Sequence, residues 1–482
     1  MSTASSHPVL AVDLDGTLIS SDLLYESFWS VLAESPVRTA GAIARGISGG
    51  GRASLKRHLS AEVTLDVARL PYNKVVLDYV RECRAKGIRT ALVTASDQSL
   101  ADEVAAYTGL FDEVHGSDGQ HNLKGAAKAA FLVERFGAGG YDYIGDAKAD
   151  MPVWAEARKA ITVDAGGQLR GAVDGLDRDA THLTTGKGQL WDWLKALRPH
   201  QWMKNVLVFL PMLAGHAFFL GVFWHSILAL IAFSLVASSV YLMNDLLDLD
   251  SDRANPRKKD RSLAAGTIPI AGGTALIPVL FLAGLAIALA LGWAFVGILV
   301  LYYLLTVAYS LHLKQRTIID IWVLSVLYTL RILAGAAATG IVPSIWLMAF
   351  AIFFFFSLAA VKRQAELVDL IARDEAALRR RGYHRDDVLL VAMIAIASGY
   401  VSVLVMALYI RTPFINELYT FPQALLGICL ILLYWISRIV MVTHRGEMHH
   451  DPLVFAARDR VSHICLVLSA ATGAIASVAP PL

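Results

Sequence analysis

Two hydrophobic periods divide this chain. Up to about residue 185, short apolar runs of strand length alternate with stretches whose apolar residues recur every three or four positions; beyond about residue 205, long uninterrupted apolar segments take over. The first regime predicts strands at Val9 to Val12, at Gly87 to Thr94 (GIRTALVT) and at Tyr141 to Gly145. Amphipathic stretches such as LLYESFWSVL and LDVARLPYNKVVLDYVREC lie between them. Strands alternating with helices predict an α/β domain on a parallel sheet, of Rossmann-like type. The second regime holds about nine apolar segments long enough to span a bilayer at about 17–25 residues each. They centre near residues 213, 234, 281, 303, 330, 353, 399, 432 and 470 and predict an all-α polytopic membrane domain. Gly166 to Gly188, rich in Gly, Asp and Thr, reads as a linker. The predicted domains are therefore 1–185 and 186–482, the second opening on Leu190 to Arg198, whose tryptophans and cations suit a helix lying on the inner membrane surface.

Charge orients the membrane part. The connections at 244–262, 312–316, 362–387 and 444–460 hold nearly all the Lys and Arg of this half, whereas those near 222, 293, 342 and 414 are almost free of them, Arg411 excepted. Positively charged loops stay inside. This predicts a multi-pass protein of the cytoplasmic (inner) membrane, with the amino-terminal domain in the cytoplasm and the carboxyl terminus outside. No secretory signal precedes the run Pro8 to Val12, in keeping with a cytoplasmic first domain. Composition changes the picture little. Lys and Arg total 43 against 41 Asp and Glu, which gives no case for nucleic acid as a partner. Cys83, Cys429 and Cys465 have no metal or redox spacing.

The most telling polar stretch follows the second apolar segment directly. Asn244 to Gly266 reads NDLLDLDSDRANPRKKDRSLAAG. On a helix, Asp245, Asp248 and Asp252 stand at i, i+3 and i+7 and share one face. Carboxylates at the inner end of a membrane helix are costly unless they face a polar cavity or a cation. Mg²⁺ suits them, because it accepts a few carboxylates and takes its remaining ligands from water and substrate phosphates. Arg253, Arg257, Lys258, Lys259 and Arg261 follow, an anion-binding rim beside that face. The plainer alternative is a solvated loop whose cations obey the positive-inside bias. Two further constellations open inward. One is Tyr309-Ser310-Leu311-His312-Leu313-Lys314, with Asp320 and Arg331 on the next helix; the other is Lys362, Arg363 and Glu366 at the end of the sixth segment. Alone, the latter reads as a snorkelling helix end; beside a metal face it is an anion clamp.

In the soluble part, the first strand ends in Asp13-Leu14-Asp15-Gly16-Thr17, the second in Thr94-Ala95-Ser96, and the third runs into Asp146 with Asp150 four residues on; His121-Asn122-Leu123-Lys124-Gly125 lies between. All fall at strand ends, where open parallel sheets place their sites. In content and order this part resembles the haloacid dehalogenase-like phosphatases over roughly residues 7–175. The resemblance implies Asp13 as the nucleophile that becomes an aspartyl phosphate, Asp15 as general acid and base, Thr94 and Lys124 as phosphate-binding groups, and a Mg²⁺ site completed by Asp146 and Asp150 with Asp13 and Asp15. Residues 20–80 stand where such enzymes carry a helical cap. A degenerate domain kept for structure is the competing reading.

The membrane part, with Asn244, Asp245, Asp248 and Asp252 in the pattern NDxxDxxxD, resembles the UbiA superfamily of intramembrane prenyltransferases. Members that use prenyl diphosphates carry a second aspartate-rich motif at the end of the sixth span; this chain has Lys362-Arg363-Gln364-Ala365-Glu366 there. Together with Arg198 to Asn205 (RPHQWMKN), Tyr309-Ser310, Leu313-Lys314 and Leu330 to Ala336 (LRILAGA), this is similar to the decaprenyl-phosphate phosphoribosyltransferase branch. Asn255 and Ser262 depart from that branch, which has His and Pro there. The resemblance implies transfer of phosphoribose from phosphoribosyl pyrophosphate to a polyprenyl phosphate at the bilayer. Mg²⁺ would sit on Asp245 and Asp248, with Asp252 as a ligand or close by, and Asn244 would orient a metal-bound water or the ribose. Arg257, Lys258 and Lys204 would clamp the donor, and Lys362, Arg363 and Arg331 one or other phosphate; Tyr309, Lys314 and Glu366 complete the binding set. Two alternatives stay open: prenyl transfer to an aromatic acceptor, and an inward-facing cation-binding transporter with a regulatory soluble domain.

Overall fold

The computed structural model describes residues 8–48, 52–62, 65–117, 122–256, 258–372, 382–412, 415–448 and 451–478. The chain divides into two compact units. One comprises Met1–Leu197 with Tyr241–Ile277, the other Arg198–Val240 with Pro278–Leu482. The first unit is thus discontinuous in sequence. Of the expected site residues, Arg257 lies outside the described residues.

In the first unit, six parallel strands form one sheet: β1 (Val9–Val12), β2 (Thr90–Asp97), β3 (Glu113–Ser117), β4 (Tyr141–Gly145), β5 (Lys159–Val163) and β6 (Asp179–Leu183), in the order β3-β2-β1-β4-β5-β6. β1 is central, pairing Leu10 with Thr90 on one side and Val9 with Tyr141 on the other. Its sequence VLAV is buried throughout, as a strand covered on both faces requires. Leu10 and Val12 enter one apolar core with Leu92, Val104 and Ile144, while Val9 and Ala11 enter another with Val93, Leu132 and Tyr143. The period of two thus splits one strand between two cores. The region expected to be a cap holds helices Leu23–Glu34, Pro36–Ser48, Arg52–Ser60 and Lys74–Ala85 between β1 and β2.

Among the described residues, eight helices are long and apolar enough to cross a membrane: Leu220–Leu247, Ile270–Leu291, Trp293–Leu311, Ile319–Thr339, Ile345–Ala372, Arg385–Tyr409, Pro422–His444 and Arg460–Val478. They match eight of the nine expected segments. The ninth, near residue 213, is not one such helix but a 3-10 helix, Pro199–Phe209, running into the five-residue helix Leu210–Ala214. Pro199 and Pro211 have no N–H to donate to the preceding turn, and Gly215 ends the run.

Candidate active sites

The strand ends of the first unit converge on one acidic centre. Asp13 leaves β1 as its N–H bonds the carbonyl of Ile144, and its Oδ1 accepts from Leu14 N (2.8 Å). Asp146 and Asp150 follow β4, Asp150 being fixed by Tyr143 OH (2.9 Å) and Ala147 N (3.2 Å). Oxygens of Asp13, Asp146 and Asp150 lie within 4.8 Å of one another. Gly16, at φ +76, has no room for a side chain, since a Cβ would come within 2.3 Å of Asp146 Oδ2. Thr17 Oγ1 donates to Asp146 Oδ1 at 3.3 Å.

The cation of this centre is Lys128, which sequence reasoning missed. Its Nζ, 2% exposed, is 2.9 Å from Asp13 Oδ1, 3.8 Å from Asp150 Oδ1 and 2.8 Å from Tyr143 OH. Lys124, the expected phosphate lysine, is exposed. The signal for Lys128 was present in the sequence: it shares a helix with Ala129 and Leu132, which are also buried, so it is a lone lysine on an apolar face. Thr94 is buried within β2, where its hydroxyl accepts from Ser96 N (3.0 Å). Asp15 stands apart from the acidic trio, accepting from Leu23 N (2.9 Å) and from Ser96 Oγ. Its carboxylate, expected among the metal ligands, is not grouped with Asp13, Asp146 and Asp150.

Electrostatics follow this geometry. Burial, then the like charges of Asp13 and Asp150, push Asp146 up to about 8. Burial, then Asp22, raises Asp15 to about 6, which favours a carboxylic acid able to donate a proton. Burial alone would lower Lys128, but Asp13 and Asp150 outweigh it and hold the ammonium protonated. Three crowded carboxylates with one cation leave negative charge uncompensated, and their hard oxygens fit Mg²⁺.

The aspartate segment belongs to the same unit. Helix Leu220–Leu247 ends at Asp248, and helix Leu249–Ala254 begins there at an angle set by φ −104 and ψ 12. The helical bonding persists across the break, Asp248 N to Asn244 O and Asp252 N to Asp248 O, so the expected common face is largely kept. Asn244 Nδ2 donates to Asp248 Oδ2 at 3.0 Å. Arg261 Nη1 lies 3.1 Å from Asp245 Oδ1 and 2.5 Å from Asp252 Oδ2, bringing those two carboxylates together around a guanidinium. With that guanidinium between them, the three aspartates do not form a close trio of the kind made by Asp13, Asp146 and Asp150. Burial raises Asp252, against Arg261 and Lys258. Its Oδ1 is buried and accepts no hydrogen bond, with Lys258 Nζ at 3.9 Å, which leaves an anionic oxygen for a bound cation to satisfy. One member of the basic rim is committed elsewhere, since Arg253 pairs with Glu26; the neighbouring Asp250 is reached by Arg69.

In the second unit, Lys204 and Lys362 meet at Asp451, a residue not singled out from the sequence. Asp451 Oδ2 is 2.7 Å from Lys204 Nζ and 3.7 Å from Lys362 Nζ, and Tyr328 OH donates to it at 3.3 Å. Arg331 is buried, bonding Asn205 Oδ1 (2.9 Å) and Tyr302 OH (3.1 Å) with its guanidinium over the Tyr302 and Tyr328 rings. Arg363 does not reach a surface. It is fully buried, ion-paired with Asp320 (2.5 Å) and with Glu366, and it stands over Tyr383, whose hydroxyl also holds Asp320. Arg363, expected to bind substrate, is therefore tied into a buried network with Asp320 and Tyr383, and Glu366, expected to do the same, pairs with it from a half-buried position. A charge in apolar surroundings needs a paired partner, and Asp320, at the start of helix Ile319–Thr339, supplies it. Lys314 is buried and Tyr309 half-buried at the end of helix Trp293–Leu311.

Two family models match successive stretches of the sequence. The model of the family described as UbiA prenyltransferase family matches residues 206–451, and that of haloacid dehalogenase-like hydrolase matches residues 10–154. The uncharacterized protein y4nM of Sinorhizobium fredii is 36% identical over 459 residues, covering 94% of this chain and 88% of that protein. Nodulation protein NoeC of Azorhizobium caulinodans is 35% identical over 281 residues, 57% of this chain and 90% of that protein. The decaprenyl-phosphate phosphoribosyltransferase of Mycobacterium tuberculosis is 37% identical over 192 residues, 39% of this chain and 63% of that protein.

Proposed function

Since the chain belongs to the UbiA prenyltransferase family and carries a haloacid dehalogenase-like hydrolase domain ahead of it, we propose that it is a bifunctional membrane enzyme acting on a lipid-linked sugar phosphate. The membrane part transfers 5-phosphoribose from phosphoribosyl pyrophosphate to a polyprenyl phosphate. The amino-terminal domain then removes the 5-phosphate of the lipid product. The observation that carries the first reaction is the 37% identity to the mycobacterial decaprenyl-phosphate phosphoribosyltransferase. The basic cluster of Lys204 and Lys362 supports it, Lys362 standing at the end of the sixth segment, where a second aspartate motif would serve a prenyl diphosphate.

In the transfer, the bond from the anomeric carbon to pyrophosphate breaks and its electron pair leaves with pyrophosphate; a lipid phosphate oxygen forms the new bond. That oxygen is already anionic, so positioning and electrostatics carry the rate and no strong base is needed. Asp245, Asp248 and Asp252 supply the oxygens for a cation, Lys258 lies beside them for the donor, and Lys204 and Lys362 suit the lipid phosphate. In the hydrolysis, Asp13 attacks phosphorus and the leaving alcohol takes a proton from Asp15. Water then opens the aspartyl phosphate with Asp15 as base. Lys128 neutralises charge on Asp13 and the incoming phosphoryl group. Mg²⁺, when bound at either acidic centre, supplies further neutralisation of phosphate oxygens.

Labelled phosphoribosyl pyrophosphate and polyprenyl phosphate, incubated with membranes, should yield a lipid-linked ribose by mass spectrometry. With Asp13→Asn the lipid should accumulate still carrying its 5-phosphate. Absence of both labelled lipids would reject the transfer, and the same phosphorylated lipid from both proteins would assign the hydrolase another substrate.

A further inference from the structure

The aspartate segment is not a free loop. Within the first unit, Arg253, next to Asp252, forks onto Glu26 with Nη2 2.6 Å from Oε1 and Nη1 3.1 Å from Oε2, both side chains buried. Its Nε donates to the carbonyl of Ala264 (3.1 Å), closing the segment on itself. Glu26 also accepts from Ser21 Oγ and lies in the first turn of helix Leu23–Glu34, whose Leu23 N–H holds Asp15. From the same helix, Trp29 Nε1 donates to Thr274 Oγ1 at 2.9 Å. Gly266, at φ +63, packs so tightly on Ser20 and Pro71 that a Cβ would stand 2.9–3.1 Å from them, and Gly188 N donates to Thr267 O at 2.8 Å.

A casual contact would not bury a forked ion pair, because desolvating two charges is unfavourable unless their geometry is well matched. Here the match is bidentate, and it joins the helical cap of the hydrolase to the residue beside Asp252. We propose that Glu26 is a positioning residue for the transferase: through Arg253, the cap holds Asp245, Asp248 and Asp252 in register for a divalent cation. The donor site is in this sense assembled on the hydrolase domain, whether or not that domain is turning over. The inference rests on the reading of these aspartates as the transferase's metal-binding segment.

The test is Mn²⁺ binding by electron paramagnetic resonance on the full chain in detergent, in an Asp13→Asn/Asp146→Asn background that leaves the aspartate segment as the acidic site measured. Asp245→Asn should abolish the binding and so identify the site. Glu26→Ala should weaken it about five- to tenfold, the lower end of typical coupling between sites, with Glu26→Gln in between. Unchanged affinity in both Glu26 variants, or no Mn²⁺ bound by the parent, would overturn the proposal. If circular dichroism shows Glu26→Ala unfolded, Glu26→Gln and Arg253→Lys, which keeps the charge and loses the fork, decide by the same criterion. Loss of Mn²⁺ affinity in a protein whose membranes make no lipid-linked phosphoribose would reject the transfer reaction and leave this inference standing.

Discussion

Replacing Lys128 by Met keeps an unbranched, flexible side chain one atom shorter and removes the ammonium that stands 2.9 Å from Asp13 Oδ1. At an effective dielectric of about 20, opposite charges at the observed 2.9 Å and 3.8 Å attract by roughly 6 and 4 kcal/mol. Desolvation of a group only 2% exposed offsets much of this. Deleting one partner of a buried pair costs about 3–5 kcal/mol. Protonation of the acidic trio relieves part of the strain, so the loss of stability should fall near about 3 kcal/mol. Phosphoryl transfer should suffer further, because the ammonium faces the charge that develops on the transferring group; about 10²–10³ in kcat is the usual loss for one such donor. Lys124→Met, at an exposed position, should change stability by less than about 0.5 kcal/mol. Hydrolysis of p-nitrophenyl phosphate and thermal unfolding of the full chain in detergent measure both quantities. An active Lys128→Met protein beside an inactive Lys124→Met protein would refute the reasoning and return the phosphate-binding role to Lys124.

Asp245→Asn or Asp248→Asn should abolish transfer of labelled phosphoribose while p-nitrophenyl phosphate hydrolysis persists; wild-type transfer in either variant would remove these residues from the site. The carboxyl terminus beyond Pro480 should face away from the cytoplasm, which requires the broken helical segment at 199–214 to cross along with the eight long helices; a terminal reporter active only in the cytoplasm should stay silent, and signal from it would mean that this segment does not cross. Asp146 rises from an ordinary 3.8 to about 8 on folding, so its contribution to metal-free stability is fully present below about pH 4 and is lost as the pH climbs through 8. Thermal melts should show this decline in the wild type without Mg²⁺, a shallower one in Asp146→Asn, and recovery of the wild type at high pH on adding Mg²⁺.

The sheet and its catalytic ends were legible because a fully apolar strand such as VLAV, followed at once by two acids, has few other physical uses. The spans were legible by length alone, except near residue 213, where proline deprives the backbone of donors and hydrophobicity does not reveal it. The anchoring lysine was hidden for a different reason. Lys124 stands in a polar stretch that resembles a motif, whereas Lys128 stands among alanines, and only the helical face it shares with Leu132 marks it. Arg363 illustrates the converse. Its place at the inner end of the sixth segment suggested an anion clamp, but the partner that fixes it, Asp320, is forty-three residues away in sequence and on another helix. Lys204 and Lys362 were read as phosphate-binding cations, while Asp451, which gathers them, lies far along the chain in a segment without a motif of its own. Long-range pairing of this kind leaves no local period.

The interruption of the first unit also has a bearing on how the protein is made. All six strands are synthesised by Leu183, yet the unit is complete only when residues 241–277 return to it, after 198–240 have emerged and begun to enter the membrane. At translation rates of about 5–20 residues per second, the eighty residues from 198 to 277 delay that completion by roughly 4–16 seconds. Throughout that interval Glu26 awaits its guanidinium and the cap around it lacks a wall. Maturation of the first unit is thereby made conditional on synthesis of the segment that follows it, so a nascent chain that stalls before residue 277 never completes its first unit.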